Sequence, residues 1–374
     1  MFPRAGGAYA YLKESYGPAA SFAYGWTYLL LVTPSAWATV SLVFARYLGA
    51  FVPLSPTGMQ VVATLLIAFV TVANVFSMRF ATGIQNIATS AKVIALAAII
   101  AVLLGLGDRS QGALAAVPSA HAMTPGGFLV GLVTALWAYD GVVAASSVFG
   151  EVRNPAHTLP RALLVGVTIV TVIYVGLNVA FLYVLPVSAV AASSLVGADA
   201  MRTVAGATGG SIVAAIVMLA TFGCMAAAAM CDPRVIFAMG CDGSFFRAVG
   251  KVHPRFQTPH VAVLLCGVLS MLWIWIRTLE QLAAQLVLGL WPFFVLLIVG
   301  VMRLRITRPH AERPYRVPLY PAIPLVFIAG SAALLIGSFV ELPGVSIVNA
   351  ATIGAAFPVY FIWRRAAEKL PARV

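Results

Sequence analysis

The sequence predicts an all-α membrane protein of about ten transmembrane helices, and three observations carry that. Of its 374 residues, 61% are hydrophobic and 9% charged. A soluble domain has about 25% charged residues, so this chain can face lipid but cannot build a water-facing surface. Apolar runs of about 20 residues, the length that crosses a hydrocarbon core, recur along it. Its basic residues sit in the short gaps between those runs, and crowded gaps alternate with sparse ones.

The chain opens Met1-Phe2-Pro3-Arg4-Ala5-Gly6-Gly7 with no apolar core of a signal peptide behind it. Spans are expected at 19–46, 59–78, 83–107, 125–149, 161–185, 211–239, 259–277, 281–302, 321–341 and 344–363. The second follows a turn-rich stretch, Pro53-Leu54-Ser55-Pro56-Thr57-Gly58. The segment 186–210 has room for a short helix on the outside.

Ten is even, so both termini lie on one side. With the N-terminus inside, the inside segments hold 18 Arg and Lys and the outside segments hold four, Arg46, Arg109, Arg202 and Arg277. The positive-inside rule therefore predicts cytoplasmic termini. Adding or losing one span in the middle would set the clusters at 303–316 and 364–373 against those at 153–161 and 234–255. Arginine outnumbers lysine and alanine is abundant, as in a GC-rich bacterial genome, so a bacterial inner membrane is expected.

The net charge of +12 follows this topology. No basic face with interleaved aromatics appears, so no nucleic-acid partner is expected. The four cysteines form no C-x-x-C pair, and no disulfide framework or zinc site is expected. Phosphate-loop, H-E-x-x-H and G-x-S-x-G motifs are missing, and the five histidines are scattered in loops. The chain is read as one integral membrane domain, 1–374, with no catalytic residue, metal or cofactor.

Three features break the apolar pattern. Lys92 lies inside the third span, where a charge is expensive and faces protein or water. The alternative is snorkelling from a helix end. Asp140 stands mid-span in Trp137-Ala138-Tyr139-Asp140-Gly141. A small charged interruption fits either a broken helix lining a cavity or a kink with a hydrogen-bonded Asp. Opposite charges recur on the inside loops: Gly150-Glu151-Val152-Arg153-Asn154-Pro155, Asp232-Pro233-Arg234, Cys241-Asp242-Gly243 and His253-Pro254-Arg255. They suit an inside gate, and equally suit solvated loops.

Together these segments resemble the amino acid–polyamine–organocation (APC) superfamily of permeases, and the bacterial and L-type amino-acid transporters within it. Phe2 to Gly7 with Tyr9, Tyr11-Leu12 and Tyr16-Gly17-Pro18 is similar to the family's loop between its second and third helices. The 137–141 segment resembles the broken sixth helix, and Glu151 to Pro155 with Leu159-Pro160-Arg161 the loop after it. Arg234 to Met239, Asp242-Gly243 and Arg255-Phe256-Gln257-Thr258-Pro259 resemble the eighth helix and its loop. Pro314-Tyr315-Arg316-Val317-Pro318 fits the stretch before the eleventh.

The resemblance implies helices three to twelve of a five-plus-five inverted repeat with two extra C-terminal helices, working by alternating access. It implies secondary transport of amino acids, by sodium-independent exchange or proton symport. Trp137 would close over the substrate, and the backbone from Trp137 through Ala138, Tyr139 and Asp140 to Gly141 would take its ammonium group. Lys92 would occupy the sodium position of sodium-coupled relatives. Glu151, Arg153, Arg234 and Asp242 would form the cytoplasmic gate. The implied partners are an amino-acid substrate, the lipid bilayer and, in one coupling mode, protons; no obligate protein partner is expected.

The chain departs from the family at Val142-Val143-Ala144-Ala145, where a Trp usually follows Asp-Gly, and at Cys241, where the family has arginine. The family's first two helices have no counterpart here. A misplaced start, a relic and a true ten-helix variant are the readings, in that order. The rival function is a non-transporting remnant or scaffold.

Overall fold

The computed structural model describes residues 7–76, 79–112, 124–139, 141, 155–310 and 317–368. Among them there are helices and no strands. The helices are α1 (Gly7–Tyr16), α2 (Pro18–Thr27), α3 (Thr33–Leu48), α4 (Pro56–Phe76), α5 (Arg79–Leu106), α6 (Pro125–Trp137), α7 (Pro155–Val184), α8 (Val187–Ala192), α9 (Val196–Cys231), α10 (Pro233–Cys241), α11 (His260–Ile276), α12 (Leu279–Thr307), α13 (Ala322–Glu341) and α14 (Pro343–Glu368). Seven continuous helical segments are long and apolar enough to cross a membrane. Three shorter apolar helices, Ser90–Leu106, Pro125–Trp137 and His260–Ile276, fall where the other three spans are expected.

The most enclosed span is the first, Pro18–Leu48, which runs through α2, a π-helical turn at Tyr28–Val32, and α3. The π turn has a local cause. Pro34 has no N–H to give to the carbonyl four residues back, that of Leu30. The indole of Trp273, on α11, donates to that carbonyl instead, at 2.9 Å. The chain closes the gap with a wider turn, in which the Thr33 N–H reaches the Tyr28 carbonyl.

Around this span pack α4, α9, α11 and α12, while α5 lies against α7 and α9. Lipid is as apolar as leucine, so close packing rather than water exclusion holds these helices together. Trp37, Phe22 and Phe293 are fully enclosed. Small residues set the spacing: a Cβ on Gly25 would stand 2.2 Å from the Met239 sulfur. The opposite kind of face runs along α7, where Leu164, Val165, Ile169, Val172, Val175 and Val179 are exposed at helical spacing, as a lipid contact requires.

Near the N-terminus, Gly17 (φ 90°) turns the chain from α1 into α2. Helix α1 lies against α2 and α12 and buries Ala8, Tyr9 and Leu12. The segment 186–210 holds α8, then the start of α9, which is broken at Ala205 and Gly206 (φ 65°). The ion pairs among the described residues respect the sides set by the charge count. Lys13–Asp242 and Arg308–Glu14 join positions expected inside; Arg46–Glu280 and Arg202–Asp199 join positions expected outside.

Candidate functional site

Helix α6 is started by Thr124, whose hydroxyl accepts the Gly127 N–H at 3.1 Å, with Pro125 in the first turn. It stops at Trp137, which is half-buried against the core. The next two N–H groups tighten to three-residue bonds, Ala138 to Ala135 and Tyr139 to Leu136, both 3.1 Å. The last carbonyls of a helix lack intrahelical partners. Here the Tyr174 hydroxyl of α7 donates to the Ala138 carbonyl at 3.3 Å. The Tyr139 hydroxyl donates to Thr171 at 3.2 Å, and the Tyr139 and Tyr174 rings meet edge to face. Trp137, Ala138 and Tyr139 thus come together where α6 ends against α7. Gly141 is exposed, and Asp140 lies outside the described residues.

Lys92 is 13 residues after the first residue of α5 and 14 before the last. At 1.5 Å per residue it is about 20 Å from either end, deeper than the expected span boundaries put it. It is half-buried, and its Nζ lies 3.5 Å from the Sγ of Cys224 on α9. A thiol is a weak acceptor and satisfies little of an ammonium's three donors.

At the C-terminal end of α10, Asp242 collects several donors. Lys13 Nζ lies 2.7 Å and the Tyr9 hydroxyl 2.6 Å from Oδ2, and the Ser244 N–H donates to Oδ1 at 3.0 Å. Burial opposes ionisation of Asp242, but the bonds from Lys13, Ser244 and Tyr9 outweigh it and hold its carboxyl below the usual value. Burial and the bond to Asp242 push the Tyr9 phenol up, so it stays a donor. Arg234 is the second residue of α10, eight positions before Asp242. Glu151 and Arg153 lie outside the described residues.

Two groupings escape the sequence reading. Tyr9 and Lys13 reach Asp242 across 233 and 229 residues, which no local pattern announces. Asp232, grouped with the inside-loop charges although the expected span 211–239 encloses it, sits in the helical backbone between α9 and α10 and is 7% exposed. Pro233 is tolerated because it opens α10, so Asp-Pro-Arg marks a helix junction and not a loop. Asp232 Oδ1 accepts the Tyr28 hydroxyl at 2.9 Å, and Oδ2 accepts the Trp37 indole N–H at 2.8 Å. Among the described residues no group of three His, Cys, Asp or Glu could hold a metal.

The profile of the amino acid permease family matches residues 1–363. The serine/threonine exchanger SteT of Bacillus subtilis is 30% identical over 368 residues, 96% of this chain and 82% of that protein. The mouse b(0,+)-type amino acid transporter 1 is 28% identical over 351 residues, 92% of this chain and 71% of that one. The human cystine/glutamate transporter is 27% identical over 372 residues, 96% and 73% respectively. The relatives are transporters, which favours transport over the scaffold reading. With a family match over nearly its whole length and apolar helices at each expected span, the chain belongs to the amino acid permease family, within the APC superfamily, and is a multi-pass membrane transporter of amino acids.

Proposed function

We propose that the protein exchanges amino acids, or carries them with protons, without sodium, by alternating access as a single membrane domain of a bacterial cytoplasmic membrane with both termini inside. The observation that carries the reading is Lys92, an ammonium at mid-helix beside Cys224 of the neighbouring α9. A fixed positive charge there does the electrostatic work that a bound sodium ion would do. The stop at Trp137 supports a substrate site: Trp137 covers an amino acid whose ammonium group meets the carbonyls from Trp137 to Asp140 and Gly141. Asp242, with Arg234, Glu151 and Arg153, belongs to the inside gate. SteT bears the name of an exchanger, which supports exchange as one of the two modes.

The test is uptake of labelled amino acids into proteoliposomes, with and without sodium and with and without amino acid inside. Sodium-indifferent uptake by wild type that is abolished or uncoupled in Lys92→Ala is expected. Uptake that requires sodium, or a Lys92→Ala variant that behaves as wild type, refutes the coupling role.

A further inference from the structure

Among the described residues Asp232 is the most enclosed carboxylate, and the cycle proposed above does not use it. Its oxygens accept hydrogen bonds from two neutral donors, the Tyr28 hydroxyl and the Trp37 indole. The groups bonded to it are Tyr28 and Trp37 from the first span; the nearby titratable groups are Cys231, which adjoins it in the chain, Arg234, two residues on, and the buried Cys266 of α11. Among the described residues no lysine, arginine or histidine nitrogen comes within the 4.0 Å of an ion pair with it. A carboxylate ion without a cation at this depth is costly, and neutral hydrogen bonds return part of that cost.

Asp232 can keep hydrogen bonds to both partners in either protonation state. Ionised, Asp232 accepts from both partners, which the 2.9 and 2.8 Å contacts fit. Protonated at Oδ1, it donates to the Tyr28 oxygen, because a phenol can turn from donor to acceptor. Trp37 can only donate, and Oδ2 keeps that bond in either state.

The first span is built to make this site. Tyr28 and Trp37 are nine residues apart, about 900° of regular α-helix, which would leave them on opposite faces. The extra residue of the π turn removes about 100° of phase, so the two lie within about 80° of each other and reach one carboxyl. On the facing span, Pro233 withholds an N–H from the carbonyl of Ala229. Asp232 therefore sits where both spans interrupt their helical hydrogen bonding.

We propose that Asp232 is the proton-binding residue of this transporter, taking up a proton on one side of the membrane and releasing it on the other in each cycle. The proposal rests on the transporter reading and, within it, selects proton coupling. The proton adds to Oδ1 and leaves to water; no bond other than O–H forms or breaks.

Two measurements on the full chain in lipid test it. In proteoliposomes holding a pH-sensitive dye, a panel of amino acids should drive proton entry, and the wild-type uptake rate should change up to about tenfold per pH unit on the limb of its profile. Asp232→Asn should exchange amino acids at equal pH but lose proton entry and the pH-dependent limb, while Asp232→Glu keeps both. Tyr28→Phe should move the limb toward alkaline pH, because the ionised form loses a donor; a merely structural role moves no pH profile. Infrared difference spectra between about pH 5 and pH 8 should show a protonated-carboxyl band that vanishes in Asp232→Asn. Wild-type proton entry and pH profile in Asp232→Asn, or no band that depends on Asp232, overturns the proposal. A wild type that moves no amino acid refutes the transporter reading instead, and the infrared band then decides Asp232 by itself.

Discussion

Asp242, just past the end of α10, is tied to α1 by a charged and an uncharged donor on one oxygen, and removing each in turn measures which one fastens it. Lys13 is 42% exposed at its side chain, so water screens its attraction for Asp242. Exposed ion pairs contribute about 0.2–1 kcal/mol. Tyr9 is 3% exposed, and its hydroxyl reaches the same oxygen at 2.6 Å. A hydrogen bond to a charged acceptor contributes about 1.5–3 kcal/mol. At about 1.4 kcal/mol per factor of ten, Tyr9→Phe should raise local opening about 10- to 100-fold, and Lys13→Ala less than about fivefold. Phenylalanine fills the same space, so packing is kept. Opening is read as loss of hydrogen-exchange protection over residues 239–246. The Phe245 N–H, bonded to the Met239 carbonyl at 3.1 Å, and the Ser244 N–H report it directly. A larger loss of protection in Lys13→Ala than in Tyr9→Phe would refute the reasoning and make the ion pair the fastener.

Because the carboxyl of Asp242 is held below its usual value, its contribution is fully present above the unfolded value near pH 4 and is lost as pH falls through the lower, folded value. Protection over 239–246, corrected for intrinsic exchange, should stay flat from about pH 8 down to about pH 5 and drop only in stronger acid. Gly240→Ala should lower the melting temperature, with a cost of about 1–3 kcal/mol, because a Cβ there meets the Gly250 backbone nitrogen at 2.4 Å. Thermal unfolding in detergent checks this. Trp137→Ala should raise the half-saturating amino-acid concentration in proteoliposome uptake by about tenfold, the value of a well-packed aromatic contact; an unchanged value would take Trp137 off the substrate.

The ten spans were legible because the bilayer imposes a length and a hydropathy that no tertiary contact can override. The alternation of charges was legible for the same reason, and the same-side ion pairs agree with it. What stayed hidden depends on contacts between distant parts of the chain. The π turn in the first span was not read from the sequence, and nothing local says that Trp273 would fill the carbonyl that Pro34 vacates. The residue cluster Asp-Pro-Arg at 232–234 carries the composition of a loop, and its burial is decided by Tyr28 and Trp37, about two hundred residues away. Of the candidate site, the interruption near Asp140-Gly141 was visible, and the structure ends α6 earlier, at Trp137. Lys92 was visible as a charge, but its depth followed from a helix that starts at Arg79 and not at 83.

The π turn at Tyr28–Val32 distinguishes the spelling of the first span from its length. Most of its side chains are apolar and could be exchanged for others of similar volume. Deleting one residue there would restore an ordinary α-helix and make the span locally more regular. It would also rotate everything before the turn by about 100° relative to everything after it. Tyr28 would leave Asp232, and α1, with Tyr9 and Lys13, would be carried round the axis away from Asp242. In this stretch the number of residues is the more rigid specification, and a single deletion would disconnect the sites at Asp232 and Asp242 while leaving every amino acid in them unchanged.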